Sequence, residues 1–407
     1  MKIKKTVKEA MELLQIKKLR RNQIKPINSI LDKHDTMVIA PTSYGKSLIY
    51  QIPAIIQKKK LTVVIEPLLA LIHDQVEKLQ RLGISAAYLD STQTDKEQNT
   101  VMENLRKGNV QILYMAPERL ETNILSQIEK KNQIGMVVVD ECHCVATWGN
   151  TFRDAYLTIG EHIEGLKKRP VVVALSASIL SEDRPQIFKQ LSMKKVKTFE
   201  TSLYRSKLQF MKRTVSSRKE QLHELKRSLK KYHKNRTIIF CATKHIAECV
   251  GEMLEKVYPE DVLVYHSRKK TQERELLSGE KSIIVATSAL SMGVDVKDVD
   301  LVIHYNMPLS LADYYQMAGR AGREGQKARS ILLYNPDDYG LSCALLGNID
   351  DKNVKKAMMK RLDAMKEFCE ETKECMVKTL LQALGDTYNR KCRYCTNCQS
   401  LQIKSQE

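Results

Sequence analysis

The sequence predicts an α/β architecture: two doubly wound parallel-sheet lobes followed by a small helical, cysteine-bearing subdomain. Three observations lead there. Short, nearly unbroken apolar runs alternate with helical stretches in two successive series, as expected of strands covered on both faces. One run, Thr36 to Ile39, leads into the loop Ala40-Pro41-Thr42-Ser43-Tyr44-Gly45-Lys46-Ser47. Five of the ten cysteines crowd into residues 369–398. The expected domains are 1–200, 201–345 and 346–407, with a linker where apolar periodicity weakens between about 195 and 215.

In chain order, residues 5–33 read as two short helices with Leu19 to Gln23 between them. An amide such as Gln23 can bond both the acceptor and the donor on an adenine edge, or it can be an exposed polar turn. The loop at 40–47 follows its strand and precedes an amphipathic stretch, Leu48 to Gln57. Strand, loop and helix N-terminus together aim backbone N–H groups at an anion. Lys46 is placed to reach the β- and γ-phosphates of a nucleotide, the Ser47 hydroxyl to ligate Mg²⁺, and Gly45 to let the loop curl. Thr42, Ser43 and Tyr44 complete the cradle. Ala40 stands where the first glycine is usual, and Ser43 and Tyr44 where small residues are common.

Further strands are expected at Leu61 to Pro67, Val110 to Met115, Met136 to Val139 and Val171 to Leu175. The fourth strand of the series ends in Asp140-Glu141-Cys142-His143, and the fifth in Ser176-Ala177-Ser178. Asp140 would hold Mg²⁺, directly or through water, and Glu141 would polarise the attacking water. Cys142 and Cys144 flank His143, but no second ligand pair lies nearby, so a structural or coupling role is expected there. Trp148, Phe152 and Arg153 suit stacking on unpaired bases, or a packed aromatic pair. Ser181 to Pro185 reads as a helix start.

In the second lobe, strands are expected at Thr237 to Cys241, Val262 to Tyr265, Ser282 to Thr287 and Leu301 to Tyr305. The third runs into a loop from Thr287 to Asp295. After the fourth comes Gln316-Met317-Ala318-Gly319-Arg320-Ala321-Gly322-Arg323-Glu324-Gly325. Planar, permanently charged Arg320 and Arg323 suit a γ-phosphate whose charge is being redistributed, with nucleic-acid phosphate as a competing target for one of them. Such a pair of lobes would place a nucleotide at their interface and change its grip on a strand as it closes and opens.

The net charge of +19 points to a polyanionic partner, most simply nucleic acid. No apolar run approaches bilayer length, and acidic and basic residues break the N-terminal patches, so neither a membrane nor a secretory route is expected. The set Cys375, Cys392, Cys395 and Cys398 supplies four thiolates for a closed tetrahedral Zn²⁺ site, three on one tight segment and one from a preceding helix. Its expected role is structural, supplying folding energy that a small core cannot.

In this order, the Thr42-to-Ala54 block, Asp140-Glu141-Cys142-His143-Cys144, Trp148-Gly149, Phe152-Arg153, Ile303-His304-Tyr305 and the Gln316-to-Gly325 block strongly resemble the RecQ family of superfamily 2 DNA helicases. The resemblance runs from Leu19 to Cys398. It implies two RecA-like lobes and a zinc-binding subdomain, and ATP-driven 3′–5′ translocation on single-stranded DNA with strand separation at forks. A role in repair, recombination or replication follows from the same resemblance. By position, Arg20 and Gln23 would read adenine, and Asp295 would join the nucleotide contacts. Gln316 would act with Lys46, Asp140, Glu141, Arg320 and Arg323 in hydrolysis. Trp148, Phe152, Arg153 and Thr287 would couple DNA contact to it. The sequence departs from the pattern at Ile16, where an aromatic stacks on adenine, at Ser43 and Tyr44, and at Thr147 and Asn150 in the coupling loop. The chain ends nine residues after Cys398, so the expectation is a minimal, monomeric core without winged-helix or further helical domains. Its expected location is cytoplasmic, at the nucleoid, or nuclear in a eukaryote. An RNA helicase, a translocase that does not unwind, and a weakly catalytic adaptor are the alternatives.

Overall fold

Seven parallel strands form the first sheet: β1 (Thr36–Ile39), β2 (Leu61–Ile65), β3 (Ala86–Leu89), β4 (Ile112–Met115), β5 (Ile134–Val139), β6 (Val171–Ser176) and β7 (Lys197–Glu200). Their spatial order is β3-β4-β2-β5-β6-β1-β7. The computed structural model describes residues 5–41, 44–147, 154–177, 179–266, 273–291, 296–323 and 325–404. The chain divides into two units, Met1–Thr201 and Ser202–Glu407.

The apolar runs are continuous because both faces of the sheet are covered. Val38, Val64, Val138 and Val173 pack toward one buried cluster with the helices Arg21–Leu31 and Ser47–Ile56. Met37, Val63, Val137 and Val172 pack toward the other. Alternation along each strand therefore sorts side chains between two cores rather than between core and water. The helix after the phosphate loop differs from the amphipathic expectation. Ile49 through Ile55 are all buried, since the helices Lys5–Leu13 and Arg21–Leu31 both pack on it.

The second unit carries β8 (Leu208–Thr214), β9 (Arg236–Phe240), β10 (Val262–Tyr265), β11 (Ile283–Ala286), β12 (Val299–His304) and β13 (Ala328–Tyr334), in the order β10-β11-β9-β12-β13-β8. All neighbours are parallel. One face meets the helices Arg218–Tyr232 and Lys244–Glu255 through Leu225, Leu229, Val250 and Leu254. The other is continuous with the C-terminal helices: Phe210, Tyr314, Leu362, Phe368, Leu380 and the four clustered cysteines share one core. The cysteine-bearing segment thus has no small core of its own, as its sequence suggested; it borrows the sheet's.

Four strands lie outside the sequence expectation. β3 is alanine-rich and β7 is mostly polar, and both are sheet edges, where one-sided pairing relaxes the need for apolar residues. β8 and β13 alternate or mix polar residues with apolar ones. The stretch expected as a linker contains β7 and β8, one edge strand for each sheet. Residues 21–23, expected between helices, form the first turn of Arg21–Leu31, with Arg20 at its N-cap.

Candidate nucleotide site and cysteine centre

The carboxyl ends of β1, β2, β5 and β6 lie side by side in the first sheet, which is where a doubly wound sheet presents ligands. Ala40 N donates to Ser176 O at 3.1 Å, and Asp140 N to Ile65 O at 3.0 Å, fixing the loop and the acidic turn to their neighbours. Lys46 caps the helix Ser47–Ile56, and Gly45 holds a φ of +81° that the turn into it requires. Gln23 Nε2 donates to Tyr44 O and Gly45 O, both at 3.1 Å, while its Oε1 accepts from Arg20 N at 2.7 Å. The amide expected to read adenine therefore braces the phosphate loop in this structure. The Arg20 guanidinium lies over the Tyr44 ring, 5.0 Å from its centre.

Lys46 Nζ is buried, has no hydrogen-bond acceptor among the described residues, and stands 3.9 Å from Glu141 Oε1. Glu141 has φ +46°, a left-handed conformation that is strained for a side chain of this size, and its N–H donates to Asp140 Oδ1 at 2.8 Å. His143 Nδ1 lies 3.2 Å from Glu141 Oε2 and 2.9 Å from Ser176 Oγ, linking the acidic turn to the end of β6. Among the described residues His143, Cys142 and Cys144 form no metal-ligating group. Burial pushes the Asp140 carboxyl up to about 6, against the pull of Lys46 and with a further push from Glu141. Burial, then the charges of Asp140 and Glu141, hold the Glu66 carboxyl well above the usual carboxylate range. Glu66 was missed in the sequence reading; the signal was a carboxylate closing an apolar strand just before Pro67. An ammonium that faces Glu141 with no hydrogen-bond acceptor among the described residues, near the buried carboxyls of Asp140 and Glu66, suits a polyanion brought in with a divalent cation.

In the second unit, Gln316 is on the helix Leu311–Ala318, buried, and Arg320 and Arg323 follow in the turn after it. Arg320 is only 3% exposed, whereas Arg323 is half-buried, so the two differ in their access to solvent. Thr287, also buried, ends β11, its N–H donating to Tyr265 O at 3.3 Å. Thr42, Ser43, Trp148, Phe152, Arg153 and Asp295 lie outside the described residues.

The sulfur atoms of Cys375, Cys392, Cys395 and Cys398 all lie within 4.8 Å of one another, and all four residues are buried. Tetrahedral Zn–S bonds of about 2.3 Å separate sulfurs by roughly 3.8 Å, so the set fits the ion. Cys375 Sγ and Cys395 Sγ are 4.0 Å apart. Backbone N–H groups of Cys392 and Cys395 donate to Cys375 Sγ and Cys392 Sγ at 3.3 and 3.2 Å, the kind of outer contact that stabilises ligating thiolates. The neighbouring thiols of Cys392 and Cys395, helped by the Cys392 N–H, hold Cys375 well below the usual thiol range. Cys375 comes from the loop after the helix Lys352–Glu370 and caps the next, Met376–Ala383, rather than lying within a preceding helix. Cys369 is buried in the Lys352–Glu370 helix and is not among the four.

Comparison with known proteins agrees with this geometry. Family models described as DEAD/DEAH box helicase, helicase conserved C-terminal domain and RecQ zinc-binding match residues 20–184, 220–325 and 337–399. The fold resembles the helicase MrfA bound to DNA (TM-score 0.67, 19% identity, 88% of this chain and 54% of that one). It also resembles Mycobacterium smegmatis Lhr bound to single-stranded DNA and AMP-PNP (TM-score 0.66, 18% identity, 94% and 55%). Fold and site together define a two-lobed helicase core. The ATP-dependent DNA helicase RecQ of Bacillus subtilis is 33% identical across 94% of this chain, that of Haemophilus influenzae 31% across 93%, and the RecQ-like DNA helicase BLM of Xenopus laevis 32% across 93%. The chain belongs to the RecQ family of DNA helicases. It spans 64%, 61% and 29% of the lengths of those relatives.

Proposed function

We propose that this chain hydrolyses ATP to move 3′ to 5′ along single-stranded DNA and to separate duplex strands at forks, in repair, recombination or replication. The observation that carries the reading is Lys46: a buried ammonium with no hydrogen-bond acceptor among the described residues, beside Glu141 and Asp140, at the mouth of a phosphate loop. In this reading Lys46 binds the β- and γ-phosphates, and Ser47 and Asp140 would hold Mg²⁺, which when bound would supply charge to neutralise them. Glu141 orients the attacking water, and its strained turn aims the carboxylate. Gln316, Arg320 and Arg323 offset charge on the transferred phosphoryl group. Tyr44, Gly45 and the braced Gln23 shape the loop, with Thr42 and Ser43 completing it; Arg20 and Asp295 contact the nucleoside. Trp148, Phe152, Arg153 and Thr287 link DNA to hydrolysis. The chain acts in this reading as a monomer at DNA, in the cytoplasm or the nucleus.

The test is steady-state ATP hydrolysis with and without single-stranded DNA, alongside Lys46→Ala and Glu141→Gln. Stimulation by DNA, with kcat lowered on the order of 10³-fold by either substitution, is the expected outcome. Stimulation by RNA alone would reassign the substrate, and hydrolysis absent with both polymers in zinc-replete protein would remove the motor reading.

A further inference from the structure

The turn that bears Arg320 and Arg323 is held by a side chain over a hundred residues upstream. Arg205, half-buried between β7 and β8, donates from Nη1 to Gly319 O at 2.8 Å and from Nη2 to Ala321 O at 2.8 Å and Gly322 O at 2.6 Å. Gly319 caps the C-terminus of the helix Leu311–Ala318 and Ala321 and Gly322 follow in the turn beyond it, where Gly322 O also accepts from Gly325 N at 3.1 Å. One planar fork holds all three carbonyls at once, a geometry an ammonium cannot reproduce. Gly322, at φ +64°, makes room: a Cβ there would come within 2.9 Å of Ala328 Cβ and of Gln326 O, and within 3.4 Å of Arg205 Nη2.

Arg205 is itself fixed by the cysteine-bearing subdomain. Leu203 N and Ser202 Oγ donate to Asp386 Oδ2 at 2.6 and 3.0 Å. Tyr204 stacks on Tyr388 with ring centres 4.6 Å apart. Tyr394, between Cys392 and Cys395, accepts from Gln209 Nε2 through its carbonyl at 2.8 Å, and its hydroxyl reaches Arg205 O at 3.5 Å. From the helix side, Tyr315 donates its hydroxyl to Leu203 O at 2.6 Å.

We infer that Arg205 is a positioning residue for ATP hydrolysis, fixing the turn of Arg320 and Arg323, and that residues 202–209 carry the order of the zinc-centred loop to that turn. The inference rests on the reading that these two arginines act in hydrolysis.

The test compares Arg205→Ala, Arg205→Lys, Arg320→Ala and Arg323→Ala in the whole chain, measuring kcat and KM for ATP, affinity for single-stranded DNA and zinc content. Arg205→Ala is expected to lower kcat on the order of 100-fold, the scale of a misplaced catalytic group, with KM, DNA affinity and bound zinc within about twofold of the parent. Arg205→Lys should recover a minor part. In the Arg323→Ala background, Arg205→Ala should add less than about threefold, because the two act through one turn. Amide exchange should quicken at residues 319–325 while β12 and β13 keep their protection. Loss of that protection, or parallel loss of zinc and DNA affinity, would make Arg205 a merely structural residue and overturn the inference. So would an unchanged kcat in Arg205→Ala where Arg320→Ala and Arg323→Ala lower it. If neither of those two lowers kcat, the functional reading fails first and the inference with it.

Discussion

At the scale of the residue, two buried ionisable groups carry consequences outside the nucleotide site. Asp35, 3% exposed before β1, accepts from Arg169 Nη1 at 3.1 Å and from Nη2, from Val172 N at 3.0 Å and from Lys194 N at 2.7 Å. Replacing it leaves the Val172 and Lys194 amides without this acceptor and removes the ion pair of Arg169, which keeps only its bonds to Pro170 O and Ser192 O. Asp35→Ala should therefore cost about 3 kcal/mol, read as a lower urea midpoint at unchanged slope. His304, at the end of β12, is fully buried between Phe240 and Tyr314, and neither ring nitrogen has a hydrogen-bond partner among the described residues. Burial depresses its pKa from 6.5 to about 3. Above pH 6.5 the ring is neutral in both folded and unfolded chains and costs nothing. Below it only the unfolded chain takes up the proton, so stability falls until the folded pKa is reached. About 2 kcal/mol should be lost between pH 7 and pH 5, and His304→Phe, which keeps the stacking, should flatten that slope.

At the scale of the element, the cysteine cluster is a clasp on a sheet rather than a separate bead. Lys212 in β8 donates from its ammonium to Glu371 O at 2.6 Å, and its backbone N–H to Thr396 Oγ1 at 2.9 Å. Asn397 bonds Glu371 O and Glu374 O at 3.0 and 2.8 Å, closing the loop around Cys375. Because this segment shares its core with β8, β12 and β13, losing the metal should loosen the whole second unit. Zinc removal by a chelator, or Cys392→Ser, should lower the melting temperature of that unit by about 10 °C, given several kcal/mol of lost folding energy. Calorimetry showing only a frayed tail, with the sheet's transition unmoved, would contradict the shared core. The same connection explains why residues 202–209 read as a linker. Their apolar side chains are few, but their backbone is anchored by groups that lie far ahead in the chain.

At the scale of the whole molecule, the excess of 67 Lys and Arg over 48 Asp and Glu should appear as salt dependence. Affinity for single-stranded DNA should fall with a log–log slope of about −0.7 per phosphate neutralised, so roughly six contacts give about −4. A slope near zero would show that the charge is spread over surface that DNA does not touch. No helix among the described residues is long and apolar enough to cross a membrane.

What the sequence by itself determined was local chemistry and its periodicity. The glycine–lysine–serine loop, the acid pair closing an apolar run and the thiolate spacing each depend on neighbours within a few residues, so β1, β5 and the cysteine centre could be read directly. Tertiary structure alone decided the rest. β3, β7, β8 and β13 become strands through a neighbour that supplies their hydrogen bonds, which propensity does not encode. Gln23 is aimed at Tyr44 and Gly45 by helix packing, across more than twenty residues of chain. Arg205 meets Gly319 to Gly322 only when β8 pairs with β13 at the sheet edge. Glu66 is an ordinary glutamate in sequence, and it resists ionisation because the sheet buries it and sets β2 beside β5, next to Asp140.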